Sequence, residues 1–254
     1  MTGAPVMSAG GALKTGSGLV TVGVAKSLNG IFEVKLTEAM TVPLKDNGGS
    51  LSAECCEKIG ELMEKSDSVL FGPGLGTGED IRYILEYVMK NCRVPLIIDA
   101  DGLNVLSKDM SIIEKCSCNL IFTPHEVEMS RLCGCSLEYV TDNRPEISRS
   151  FAEEYGVTLI LKGHHTIVTA SDGTQYINNT GNSGLATGGS GDVLAGIVAS
   201  LAARGVREDK AAATAVYIHG LSGDIAAEKF GEDSMSACDI IDFLPDAVKL
   251  IHSR

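Results

Sequence analysis

Short apolar runs alternate along the chain with stretches whose apolar residues recur every three or four positions. Val69–Phe71, Pro95–Ile98, Asn119–Phe122 and Val157–Leu161 predict strands. Continuous apolar runs of this length suit strands buried on both faces of a parallel sheet. Ile81, Ile84, Leu85 and Val88 keep helical spacing after the first of them. Thr166–Thr169 and Thr174–Ile177, around Ser171-Asp172-Gly173, predict a hairpin. Beyond it the pattern is mostly helical, over Val193–Ala203, Asp209–Glu228 and Ala237–Leu250. Strand, loop and helix in alternation predict an α/β fold, a parallel sheet covered by helices on both faces. No linker or repeat divides the chain, so residues 1–254 are expected to form one domain. Polar and glycine-rich segments follow the apolar runs: Gly72–Gly76, Asp99–Asn104, Thr123–Glu126 and Lys162–Thr166. Ligands of such sheets bind beyond the carboxyl ends of the strands.

Charge and composition narrow the partners. The chain carries 21 basic and 33 acidic residues, a formal charge of −12. An acidic surface repels phosphate backbones at long range, so no nucleic-acid partner is expected. The hydrophobic fraction is 44% and no apolar run reaches membrane-spanning length, so neither disorder nor a transmembrane span is expected. Met1–Gly11 has no basic segment and no long apolar segment, so no signal peptide is expected. The eight cysteines are then expected to be reduced thiols in the cytoplasm. Cys116-x-Cys118 and Cys133-x-Cys135 miss the structural zinc spacing by one residue, and no metal held by the protein is expected.

Glycine is plentiful, 29 residues, and clustered. The densest cluster lies in Asn179–Gly196, directly before the apolar helical pattern of Val193, Leu194, Ile197, Val198 and Leu201. A glycine-rich turn that opens a helix points backbone N–H groups at one spot, and the helix dipole adds about half a positive charge there. Such a place binds anions. Asp192 stands at its entrance, after Gly188-Gly189-Ser190-Gly191. One role for it is to complement or cap the helix start. The other is a general base that takes a substrate hydroxyl proton while the N–H groups hold a phosphoryl group. Capping needs no run of glycines, which favours the base. There is no Gly-Lys dipeptide, hence no Walker A loop, and no G-x-G-x-x-G.

These residues resemble the ribokinase-like superfamily, and more closely the ADP/ATP-dependent NAD(P)H-hydrate dehydratases. The matching segments run in the family's order: Thr2–Ala4, Leu13–Val20, Gly72–Gly76, Ile98–Asn104, Thr123–Glu126 with Glu128-Met129, Leu161–Thr166 and Asn179–Gly196. The resemblance implies a three-layer fold and a cytoplasmic lyase that repairs metabolites. It would dehydrate 6-hydroxylated NADH or NADPH by phosphorylating the ring hydroxyl and expelling phosphate. ADP or ATP would be the donor, with Mg²⁺. By the resemblance Asp192 is the catalytic base and also contacts substrate. Ala4, Gly74, Gly76 and His125 would contact the hydrated dinucleotide. Lys162, Gly163, His164, His165, Thr166, Gly189, Ser190 and Gly191 would hold the nucleotide. Asp99 and Asp101 would cap the following helix or orient the phosphate side, and His219 is expected to pack. A homo-oligomer, by analogy a tetramer, is expected.

The family's usual first strand and a Lys-Gly-x-x-Gly segment ahead of Thr-Gly-Ala are not found here, so a fold lacking that strand is expected. Two other functions share the anion site: a small-molecule kinase of the hydroxyethylthiazole or sugar type, and a nucleotide-binding module without catalysis. Thr123–Glu126 with Gly72–Gly76 disfavour the first, and an intact Asp192 disfavours the second.

Overall fold

In the computed structural model, which describes residues 1–252, the short apolar runs form the centre of the molecule. The chain begins with α1 (Gly3–Lys14). A small outlying layer follows: β1 (Thr21–Ala25), α2 (Asn29–Lys35), β2 (Met40–Leu44), then β3 (Asp46–Asn47) and β4 (Ser50–Leu51). β1 pairs in parallel with β2, and β3 pairs antiparallel with β4, both apart from the main sheet. After α3 (Cys56–Met63) the regular alternation starts: β5 (Val69–Phe71), α4 (Glu79–Asn91), β6 (Leu96–Ile98), α5 (Asp101–Leu106) and β7 (Leu120–Phe122). Next come α6 (Glu126–Cys133), α7 (Leu137–Asp142), α8 (Arg144–Tyr155) and β8 (Thr158–Leu161). β9 (Ile167–Thr169) and β10 (Gln175–Ile177) form the expected hairpin. The chain closes with α9 (Ser190–Ala203), α10 (Glu208–Phe230) and α11 (Ala237–His252).

The main sheet has six strands in the order β10-β9-β8-β7-β6-β5. β5 to β8 run parallel, and β9 and β10 are antiparallel additions at one edge. The sheet is therefore mostly parallel. Alternate residues of each strand feed two cores. Leu96, Ile98, Phe122 and Leu159 face α4, α5, α6 and α8, while Ile97, Ile121 and Ile160 face α9, α10 and α11. This is the expected three-layer arrangement.

Each helix carries local reasons for its limits. α4 has Glu79 and Asp80 in its first turn and Lys90 in its last, matching the helix dipole. α8 begins with a proline in its first turn and ends at Gly156 in the left-handed conformation. α9 starts three residues before its apolar pattern does, at Ser190. Gly11 and Gly196 let α1 and α9 touch backbone to backbone: a Cβ on Gly196 would strike the carbonyl of Ser8, and one on Gly11 that of Val193. Among the described residues no helix is long and apolar enough to cross a membrane.

Candidate active site

The carboxyl ends of the parallel strands converge on one polar cluster. Asp99 directly follows β6, Thr123 follows β7 and Lys162 follows β8. Asp99 is 1% exposed, yet its Oδ1 accepts hydrogen bonds from Thr123 Oγ1 at 2.6 Å and Lys162 Nζ at 2.9 Å. Lys162 Nζ also lies 3.9 Å from Glu128 Oε2, on a side chain that is 5% exposed. Burial alone would push the Lys162 pKa down, but Asp99 and Glu128 together outweigh it and raise it. The lysine thus stays an ammonium ion held between two buried carboxylates.

That ammonium reaches the glycine-rich turn, since a Cβ added to Gly191 would lie 3.3 Å from Lys162 Nζ. Gly189 is the N-cap of α9, at φ 94°, and no side-chain cap is made there. Asp192, in the first turn, is partly buried. Its pKa rises from 3.8 to about 6, through burial first and then through Asp99 and Glu128, against the pull of Lys162. The turn is anchored from behind. His219 on α10 is buried, with Nε2 3.1 Å from Ser190 Oγ and 3.0 Å from Ser190 O. Burial lowers the His219 pKa to about 4, so the ring is neutral. Its packing position matches the expectation, but its contact with the first residue of α9 was not foreseen. Asp224 was missed as well: its carboxylate accepts from Gly181 N at 2.9 Å and from Asn182 Nδ2 at 3.0 Å, tying the glycine-rich segment to α10.

On the other side stand the residues expected to meet a dinucleotide. His125 is the N-cap of α6, where Nδ1 accepts from Val127 N at 3.1 Å and Glu128 N at 3.3 Å. Glu128 Oε2 returns the bond by accepting from His125 N at 2.9 Å, a capping box. The ring remains 49% exposed, with Nε2 3.5 Å from Glu128 Oε1. Burial lowers the His125 pKa, only partly opposed by Glu128. Ala4 and Gly74 are neighbours: a Cβ on Gly74 would lie 3.4 Å from that of Ala4, and the Met1 ammonium donates to Gly74 O at 2.8 Å. Asp101 does not only sit in the first turn of α5, because its Oδ2 accepts from Gly76 N at 2.8 Å. Between the two aspartates Ala100 has φ 50°, a strained value for a residue with a Cβ. Gly72, at φ 130°, has no room for a side chain, since a Cβ there would strike the carbonyl of Asp99.

The Gly163–Thr166 loop leaves β8 beside this cluster. Arg144 secures it by donating to His164 O at 2.6 Å and Leu161 O at 3.3 Å. His164 and His165 are exposed with their rings 3.9 Å apart, and His165 has φ 53°. A cavity of about 180 Å³ opens between the β9–β10 hairpin and α10, lined by Val168, Tyr176, Asn178, Ala213, Val216 and Tyr217. A larger one, about 340 Å³, lies between α6, α7 and α8 and includes none of the residues around Asp192. Backbone N–H groups at an open helix end, such as the start of α9, can take an anion without an enclosed cavity.

The profile of the NAD(P)H-hydrate dehydratase family matches residues 1–246. The bifunctional NAD(P)H-hydrate repair enzyme of Moorella thermoacetica is 40% identical over 96% of this chain and 46% of its own. The ADP-dependent (S)-NAD(P)H-hydrate dehydratase of Neisseria meningitidis serogroup B is 35% identical over 91% of this chain and 75% of its own. The ADP/ATP-dependent NAD(P)H-hydrate dehydratase of Bacillus subtilis, co-crystallised with ATP/Mg²⁺ and soaked with CoA, superposes with a TM-score of 0.83 at 25% identity, over 98% of this chain and 87% of its own. The chain spans about half the length of the bifunctional relatives it matches.

Proposed function

The chain belongs to the NAD(P)H-hydrate dehydratase family, and from that premise we propose that it restores hydrated NADH and NADPH, with ADP or ATP as phosphoryl donor. The observation that carries this is Asp192, a partly buried carboxylate with a pKa of about 6 in the first turn of α9, beside a glycine-rich anion site. At neutral pH it is ionised and able to accept a proton.

In this mechanism the N–H groups of Gly189 to Gly191 hold the phosphoryl oxygens, helped by the helix dipole. Asp192 takes the proton of the ring hydroxyl as its oxygen attacks phosphorus, and the nucleotide leaves with the old P–O electron pair. Phosphate is a far better leaving group than hydroxide. The ring nitrogen lone pair expels it, and loss of a proton from the adjacent carbon restores the double bond. Lys162 holds its two carboxylates in place and adds positive charge beside Gly191. Lys162 to Thr166 hold the AMP part of the nucleotide. Ala4, Gly74, Gly76 and His125 contact the hydrated dinucleotide.

Mg²⁺ fits this site in one way. Among the described residues no group of three or more His, Cys, Asp or Glu side chains is arranged to hold a metal. Asp99 and Asp101 are already engaged by Lys162 and Gly76. Mg²⁺ keeps much of its water and prefers phosphates, so it would be carried on the nucleotide's phosphate oxygens rather than held by the protein's own side chains. When bound, it neutralises charge on the phosphate oxygens. A cytoplasmic setting and a homo-oligomer, by analogy a tetramer, belong to the same proposal. The test is incubation with hydrated NADH and either ADP or ATP, following absorbance at the reduced-nicotinamide band. Recovery with at least one donor is expected, and no recovery with either would contradict the proposal.

A further inference from the structure

At the opposite ends of β6 and β7, away from Asp99 and Thr123, three cysteines meet. Cys92 closes α4 and is fully buried, and its Sγ donates to Val94 O at 3.3 Å. Cys116 and Cys118 lie in the segment that enters β7, both half-buried, with their Sγ atoms 3.3 Å apart. Arg93 crosses the same place, donating to Cys92 O at 2.8 Å and to Ser117 Oγ at 3.0 Å. The Cys118 thiol also hydrogen-bonds the Cys92 sulfur, but Cys92 is fully buried, whereas Cys116 is partly exposed. Cys55, by contrast, is pushed up to about 11 by burial, the state of an inert core thiol. A hydrogen bond from the Cys118 thiol, with help from the Arg93 guanidinium, holds Cys116 below the ordinary thiol range. Cys118 is shifted the other way and keeps its proton. Reactive cysteines sit in partly exposed, electropositive surroundings of this kind. The cluster is not arranged as a metal site.

We propose that Cys116 and Cys118 form a peroxide-sensitive dithiol, a modification site separate from the dehydratase chemistry. The Cys116 thiolate attacks one oxygen of hydrogen peroxide, the O–O bond breaks, and sulfenic acid and hydroxide result. The Cys118 sulfur then attacks the Cys116 sulfur, the S–O bond breaks, and water leaves with the Cys118 proton. Overall the two thiols lose two electrons and two protons, and one peroxide becomes two waters. The sulfurs need to close from 3.3 Å to the ~2.0 Å of a disulfide. A small dithiol reverses the step by thiol–disulfide exchange.

The experiment is peptide mapping of the reduced full-length protein after titration with hydrogen peroxide and alkylation of the remaining thiols. Trypsin cuts after Lys115 and Arg131, so one peptide, 116–131, carries both cysteines and no other. It is expected to lose the mass of two hydrogens and to escape alkylation before the exposed Cys133 and Cys238 react. Dithiothreitol should restore it. Cys118→Ser should stop the reaction at a sulfenic acid on Cys116, trapped by dimedone, and Cys116→Ser should abolish both products. The proposal is overturned by full alkylation of the peptide, by a cross-link from it to Cys92, or by sulfinic acid without a disulfide. Because the mapping uses the wild-type chain, poor folding of a variant does not blunt it.

Discussion

Replacing Asp192 by Asn should stabilise the protein while disabling it. Burial, and then the neighbouring carboxylates, lift the Asp192 pKa from 3.8 to about 6. In the unfolded chain it returns to about 3.9, so the folded protein holds the ionised form at a disadvantage of roughly 3 kcal/mol. Asn removes that disadvantage but also forfeits about 0.3–1 kcal/mol of favourable interaction with the α9 dipole. The net gain near neutral pH is about 2 kcal/mol, which raises Tm by about 4–8 °C in a chain of this size. The sign of the pH dependence follows from a folded pKa above the unfolded one. Below about pH 4 both states are protonated and the gain vanishes. It grows between about pH 4 and pH 6, then stays level. His219, neutral and unchanged in both proteins, cancels in the difference. Melting followed by circular dichroism across this range reads the effect. A variant that melts below wild type at neutral pH, or a gap of equal size at pH 4 and pH 7, would refute the burial of a charged Asp192.

Lys162→Met strands two buried carboxylates, so stability should fall by about 3–5 kcal/mol at neutral pH. The acid limb of the rate profile should move up, since Lys162 opposes the rise at Asp192; an unchanged Tm and limb would show that the ion pairs do not hold the site. At saturating nucleotide this variant should lose more nucleotide affinity than turnover, as steady-state kinetics will report. His125→Ala should raise KM for the hydrated dinucleotide and leave nucleotide affinity nearly intact, while loss of the α6 cap lowers stability by about 0.5–2 kcal/mol; equal loss of both ligands would point to a folding defect. Gly196→Ala drives a methyl into the Ser8 carbonyl and should cost about 1–3 kcal/mol or more in a denaturant titration, and a neutral result would mean that α1 and α9 are less closely packed.

Much of the fold was legible because its strands are buried on both faces. Leu96-Ile97-Ile98 and Leu120-Ile121-Phe122 have no wet side, so their apolar runs are unbroken. The last three helices are long, 14, 23 and 16 residues. The first 60 or so residues were hard to read because β3 and β4 are two residues each and β1 pairs only with β2. In the site, the glycines before Asp192 marked the turn that opens α9 through local sequence alone. The partnership of Lys162 with Asp99 was invisible, because it spans 63 residues and depends on the order of β6, β7 and β8. His219 looked like packing for the same reason: its partner Ser190 lies 29 residues away. For His125 the local pattern, a His three residues before Glu128, carried the capping box that the structure displays.

The most direct measurement is turnover of hydrated NADH with saturating nucleotide by wild type and Asp192→Asn in parallel, with nucleotide affinity taken on the same samples. Wild type should restore the reduced-nicotinamide absorbance. Asp192→Asn should be slower by about 10²-fold or more and bind nucleotide at least as tightly, because repulsion between carboxylate and phosphate is relieved. Wild-type turnover in the folded variant would contradict the catalytic role and leave Asp192 as a charge at a helix start.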